Sequence, residues 1–86
     1  MKIGYHRKFQ KSFKKLPPNL KQKTIETIEI FLQNPNDRRI KNHKLKGKLK
    51  KFRAICVAFD LRIVFEEGTN YVDVLFLDIW SHTVYK

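Results

Sequence analysis

The period of the hydrophobic pattern changes near residue 52, and this change limits the possible folds more than any other feature. Before it, apolar residues recur at the spacing of amphipathic helices. The two helical sets are Tyr5, Phe9, Phe13 and Leu16, and then Ile25, Ile28, Phe31 and Leu32. The pair Pro17-Pro18 separates them, since a residue before proline is disfavoured in a helix. We expect two short helices after an edge strand at residues 2–5, with Asn19 capping the second helix.

From residue 52 onward the pattern alternates, as it does in half-buried strands. Segments 52–58, 61–66 and 71–80 are rich in Val, Ile, Phe and Tyr, and short turns lie between them. Strands joined by such short links must run antiparallel. The sequence therefore predicts an α+β fold with two N-terminal helices packed on one face of a three- or four-stranded, mainly antiparallel sheet. Residues 1–86 are long enough for one domain only.

Strand alternation also predicts which residues share a face of the sheet. A tight turn at residues 60 and 61 would pair Phe59 with Arg62. Arg53 and Arg62 would then lie together on the face away from the helices. Cys56 would lie on the opposite face, within the core.

Positive charge is concentrated between residues 38 and 59, where nine Lys or Arg residues occur without an acidic residue. The whole chain has a formal net charge of +11. Such an excess favours a polyanionic partner, and nucleic acid is the leading one. We expect no membrane association, because the charge does not follow one amphipathic helix and no apolar run approaches about 20 residues.

The sequence predicts neither a disulfide nor a metal site. Cys56 is the single cysteine, and no carboxylate cluster or His/Cys set occurs at ligand spacing. The N-terminal segment lacks an apolar signal core, so we expect a cytoplasmic protein. We also expect that it needs no cofactor.

Three blocks of the sequence resemble the RelE/ParE superfamily of bacterial toxins, and in particular its YafQ-like ribonuclease branch. The first runs from Asn34-Pro35 and Asp37 through His43-Lys44-Leu45-Lys46-Gly47 to Phe52-Arg53. The second is Asp60-Leu61-Arg62-Ile63-Val64-Phe65, and the third is Leu77-Asp78-Ile79 with Ser81-His82 and Tyr85. The resemblance implies a single RelE/ParE-like domain that is the toxin of a type II toxin–antitoxin system. It further implies a ribosome-dependent mRNA endonuclease that inhibits translation.

The resemblance also assigns roles to individual residues. A metal-independent nuclease of this kind uses the 2′-hydroxyl of RNA as nucleophile, so it needs proton-transfer groups and a cation for the crowded phosphorane. The catalytic candidates are His43, Asp60, Arg62 and His82. Either histidine could be the base or the acid.

RNA-binding roles fall to basic and aromatic side chains. These candidates are Lys44, Lys46, Lys50, Arg53, Trp80 and Tyr85. Cys56 stands where YafQ-like nucleases can have a further catalytic histidine, and Trp80 stands where the family commonly has glycine. These two departures bear on the rate and preference of cleavage.

The expected partners are a cognate antitoxin, the ribosome and mRNA, with the toxin alone monomeric. Two alternatives remain open: a ParE-like inhibitor of DNA gyrase and a noncatalytic RNA-binding relative. The paired histidines favour the nuclease, since gyrase inhibition has no evident need of them.

Overall fold

A computed structural model describes residues 1–81 of the chain as a mixed sheet with two helices. The helices are α1 (Arg7–Lys14) and α2 (Pro18–Gln33), and the strands are β1 (Lys2–Tyr5), β2 (His43–Lys44), β3 (Arg53–Ala58), β4 (Leu61–Glu67) and β5 (Asp73–Ser81). Short 3-10 turns occupy Arg38–Ile40, Gly47–Leu49 and Thr69–Tyr71. No helix among these residues is long and apolar enough to cross a membrane.

Both predicted helices are present, but the second begins differently. His6 caps α1, because its Nδ1 accepts a hydrogen bond of 3.0 Å from the Lys8 amide. Pro18 is the first residue of α2, and Pro17 holds the capping position that we predicted for Asn19. Proline suits the first helical position, where no N–H is needed and its fixed φ is already helical.

The α+β class and the mainly antiparallel pairing are confirmed, whereas the strand count needs correction and one pairing is parallel. The sheet has five strands in the order β1-β5-β4-β3-β2. β1 pairs with β5 in parallel, and the other neighbours are antiparallel. The two helices and strands β2 to β4 all lie between β1 and β5 in the chain, and this gives the long connection that a parallel pair requires. β2 contains only two residues, too few to show an alternating pattern.

Aromatic side chains from α2 and the sheet form the centre of the core. Phe31 of α2 meets Phe65 of β4 edge to face at 5.1 Å between ring centroids, and Phe76 of β5 at 5.5 Å. All three rings are fully buried. Such aromatic pairs add about 0.5–1.5 kcal/mol beyond the burial of their area. The helices therefore cover one face of the sheet, and the other face is available for function.

The face that we predicted for Cys56 is wrong. A β-bulge between Cys56 and Ala58 shifts the register of β3 on β4, so that Cys56 pairs with Arg62. The turn pairs Ala58 with Leu61, and regular pairing from there would have left Cys56 on the core face. The bulge adds one residue to β3, and one extra residue exchanges the two faces of a strand. Cys56 is half-buried beside Arg62, and Arg53 pairs with the core residue Phe65.

Candidate nucleic-acid interface

Four residues meet on the sheet face opposite the helices, and we call this surface the open face. Arg62 pairs with Cys56 on one side and with Trp80 on the other. His43 of β2 pairs with Ala54, which lies two residues before Cys56 and so shares its face. The sheet thus places His43, Arg62 and Trp80, from three strands, on one face.

A groove of about 490 Å³ lies at one end of the open face, and we call it the basic groove. Its lining residues are Arg39, Lys41, His43, Cys56, Ala58, Phe59 and Arg62. Three of them carry a permanent positive charge, and no carboxylate of residues 1–81 lines the groove. Such a site suits a phosphate group that must be held close to an imidazole. Sequence reasoning did not single out Arg39 and Lys41, although both belong to the basic run that it identified.

The imidazole of His43 is held in a defined orientation by the backbone before it. Nδ1 lies 2.8 Å from the carbonyl oxygen of Lys41. Because a carbonyl only accepts, Nδ1 must carry the proton of this bond, and the neutral ring then has its free lone pair on Nε2. Lys41 adopts a left-handed conformation with φ of 50°, which places this carbonyl against the ring. His43 can therefore accept or deliver a proton through Nε2.

Asp60 is anchored at the end of the β3–β4 turn. The hydroxyl of Ser81 donates a hydrogen bond of 3.1 Å to Asp60 Oδ2. Ser81 pairs with Leu61, so this bond joins the turn to the end of β5. The catalytic role of Asp60 stays a prediction.

Arg53 is placed differently from Arg62. Its Nε donates a hydrogen bond of 2.8 Å to Asn42 Oδ1. The amide nitrogen of Asn42 donates in turn to the carbonyl of Pro35 at 2.9 Å and to the hydroxyl of Tyr71 at 3.0 Å. Arg53 therefore connects three loops beside the core, and the expectation that it shares a face with Arg62 is wrong.

Trp80 is held over the open face by a carboxylate that sequence reasoning did not assign to the site. Trp80 is 40% exposed, and its indole Nε1 donates to Asp78 Oδ2 at 3.3 Å. Asp78 Oδ1 accepts a 2.6 Å hydrogen bond from the hydroxyl of Ser12 in α1. The spacing of Asp78 and Trp80, two residues apart in one strand, is the signal that could have linked them.

The remaining basic candidates extend from the end of β2 along the segment that leads to β3. Lys44, Lys46 and Lys50 are all exposed. Gly47 adopts φ of 67°, which glycine tolerates without strain, and so lets the segment turn back. The roles of Lys44, Lys46 and Lys50 in RNA binding stay predictions.

The charge of Arg39, at the rim of the basic groove, is partly balanced by Asp37. The two side chains form an ion pair of 2.9 Å. Hydrogen bonds from the side chain and the backbone of Arg39 lower the pKa of Asp37 to about 2. The same pairing raises the pKa of Arg39.

Two candidates, His82 and Tyr85, lie outside the described residues. Within residues 1–81, no group of three His, Cys, Asp or Glu side chains lies close enough to bind a metal ion.

Several solved structures have the same fold as this chain. A YoeB/ParE toxin from Agrobacterium tumefaciens superimposes with a TM-score of 0.78 at 14% identity, over 95% of this chain and 99% of the other. YafQ from E. coli strain BL21(DE3) gives 0.76 at 20% identity, over 94% and 92%. The toxin–antitoxin complex RelBE2 from Mycobacterium tuberculosis gives 0.76 at 15% identity, over 94% and 96%.

No protein-family model and no curated protein sequence matches the chain. At these identities the superpositions establish architecture. The fold of this chain is that of the RelE-, YafQ- and ParE-type toxins.

Proposed function

We propose that this protein is the toxin of a type II toxin–antitoxin system and that it cleaves mRNA on the ribosome. The observation that carries the proposal is the basic groove, in which His43 has Nε2 free and lies with Arg62 on one face. The fold is shared with toxins from A. tumefaciens and E. coli, which supports the same interpretation. Its expected location is the cytoplasm, where the ribosomes are.

The reaction uses the 2′-hydroxyl of the RNA as its nucleophile. One imidazole removes the proton of this hydroxyl, and a second donor protonates the departing 5′-oxygen. His43 performs one of these transfers through Nε2, and His82 is the candidate for the other. The guanidinium of Arg62 stabilises the charge that accumulates on the phosphorane oxygens. The products are a 2′,3′-cyclic phosphate and a free 5′-hydroxyl.

The inhibitor of this activity is a cognate antitoxin with an acidic or amphipathic segment. Its expected site is the basic surface that includes Lys46 and Lys50, because opposite charge favours association there. The M. tuberculosis neighbour was solved as a toxin–antitoxin complex, which supports a partner of this kind.

Inhibition of DNA gyrase is the second candidate function. The neighbour from A. tumefaciens is named YoeB/ParE, so the fold agrees with either activity. A groove that places an imidazole beside an arginine is what a nuclease needs, and it favours cleavage over gyrase inhibition. A noncatalytic RNA-binding protein would use the same basic surface without His43.

Primer extension on messages, together with a gyrase supercoiling assay, tests the proposal. Ribosomes programmed with a defined mRNA should yield a discrete cut after addition of the purified protein, and supercoiling should be unchanged. Replacing the ribose at the cut position by 2′-deoxyribose should abolish the cut and leave binding intact. Loss of supercoiling without any cut would overturn the proposal in favour of gyrase. Undiminished cutting of the deoxy position would point to an activated water.

A further inference from the structure

A second pocket, of about 250 Å³, lies on the open face, and Trp80 is one of its lining residues. We call it the indole pocket. Its apolar walls include Leu49, Phe52 and Trp80, and its polar rim includes Lys8 and Asp78. The volume is below the range of about 300–1,000 Å³ that is usual for drug-sized ligands. A single planar ring system is therefore the largest group that we expect it to hold.

The indole pocket continues the path of a strand bound in the basic groove. Arg62, which lines the basic groove, is the direct cross-strand neighbour of Trp80. Opposite residues on neighbouring strands have Cβ atoms about 4.5–5.5 Å apart. A phosphate at Arg62 would thus have an adjacent nucleotide within reach of the pocket, where an exposed aromatic ring offers a stacking surface.

The carboxylate of Asp78 gives the pocket a hydrogen-bonding preference. Oδ1 is already engaged by the Ser12 hydroxyl at 2.6 Å and by the Ile79 amide at 2.8 Å. Oδ2 accepts one longer bond of 3.3 Å from Trp80, and a carboxylate oxygen has capacity for a second donor. An exocyclic amino group is such a donor. Uracil presents a carbonyl oxygen at position 4, and its N3–H donor lies between two carbonyl oxygens that repel a carboxylate.

We propose that the indole pocket binds one nucleobase of the RNA and prefers a base with an exocyclic amino group over uracil. The base stacks on Trp80, its amino group donates to Asp78 Oδ2, and Lys8 attracts the neighbouring phosphate. Asp78 is thus a specificity-determining residue. The inference rests on the proposed function only for the source of the RNA, because the pocket can be probed with free nucleotides.

Trp80 is the single tryptophan of the chain, so its fluorescence reports directly on this pocket. We would titrate the full chain with CMP and with UMP, which have the same ring size and differ in the group at position 4. CMP should quench Trp80 saturably and at a roughly tenfold lower concentration than UMP, as expected for a bond to a charged acceptor. Equal titration curves for the two nucleotides, or quenching that never saturates, would overturn the inference.

Two variants extend the test. Asp78→Asn presents an amide in place of the carboxylate and should reduce the CMP preference to within about twofold, with circular dichroism as a check on folding. Lys8→Glu should weaken both nucleotides by the same factor. Lys14→Glu, the matched charge change on the same helix, should leave both titrations unchanged.

The outcomes separate this inference from the proposed function. Selective CMP binding by a protein that cuts no mRNA would overturn the nuclease and leave the pocket standing. Cleavage of mRNA without any preference between CMP and UMP would leave the nuclease standing and overturn the pocket.

Discussion

His43 is oriented by a lysine whose backbone conformation is unfavourable. Lys41 has φ of 50°, and the left-handed region costs a residue with a Cβ about 1–2 kcal/mol. The surrounding turn maintains this conformation, and the Lys41 carbonyl fixes Nδ1 of His43. Strained backbone that positions a reactive side chain is common at functional sites. The sequence could suggest His43 as a candidate but not its tautomer, because lysine is not a residue that marks a left-handed position.

The first prediction separates the two nitrogens of His43. His43→Asn keeps a donor for the Lys41 carbonyl and loses Nε2. We expect this variant, like His43→Ala, to cleave at least about 10²-fold more slowly, because general acid–base catalysis contributes roughly that much. Single-turnover cleavage on programmed ribosomes measures the effect, and Gln22→Ala at an exposed position of α2 serves as control. A His43→Asn protein of full activity would exclude Nε2 from proton transfer.

The second prediction concerns acid stability near the basic groove. The folded pKa of Asp37 is about 2, below its ordinary value of 3.8. Its stabilising effect is therefore complete above about pH 4 and is lost as the pH falls toward 2. Asp37→Asn keeps the Oδ1 acceptor for the Arg39 amide but removes the charge. Its melting temperature should lie below that of the unmodified protein at pH 7, and the gap should narrow steadily between pH 4 and pH 2. A gap at pH 2 as wide as the gap at pH 7 would contradict the assignment.

At the scale of elements, the sequence predicted the helices and the long strands correctly because their apolar periods are strong. The faces of β3 were wrong because a bulge between Cys56 and Ala58 inserts one residue, and no glycine or proline marks it. β2 was missed because it has two residues. The sequence showed that basic residues occur in this segment. Only the structure showed which of their side chains line the groove.

The third prediction distinguishes two arginines of neighbouring strands. Arg62 is exposed, so Arg62→Ala should slow cleavage at least about 10²-fold with little change in melting temperature. Arg53→Ala leaves the half-buried Asn42 Oδ1 without its partner and should reduce the free energy of unfolding by about 1–3 kcal/mol. Chemical denaturation beside the cleavage assay measures both. A stable Arg53→Ala protein with lost cleavage would restore the direct RNA role that the sequence predicted.

At the scale of the whole molecule, positive charge dominates the surface. The net charge of +11 far exceeds what solubility requires of a small domain. The segment between β2 and β3 presents several exposed lysines next to the open face. A surface of this kind binds polyanions with release of counterions, so its affinity depends on salt.

The fourth prediction uses this salt dependence. Reversing the charges of Lys46 and Lys50 together should lower the slope of log affinity against log salt by about 1.4 for a single-stranded oligoribonucleotide. Lys11 and Lys15 at the end of α1 provide a matched pair, whose reversal should leave the slope nearly unchanged. Fluorescence anisotropy at several salt concentrations measures both. Equal slopes for the two double variants would place the RNA elsewhere.

The parallel pairing of β1 with β5 affects the order in which the sheet can form during synthesis of the chain. Lys2 pairs with Asp73, so β1, although it is synthesised before β2 to β5, cannot join the sheet until β5 is available. Such distant pairings form late and slowly in folding. Trp80, on that same last strand, completes the open face only then. A chain whose proposed target is the ribosome thus lacks its working surface until β5 has been synthesised.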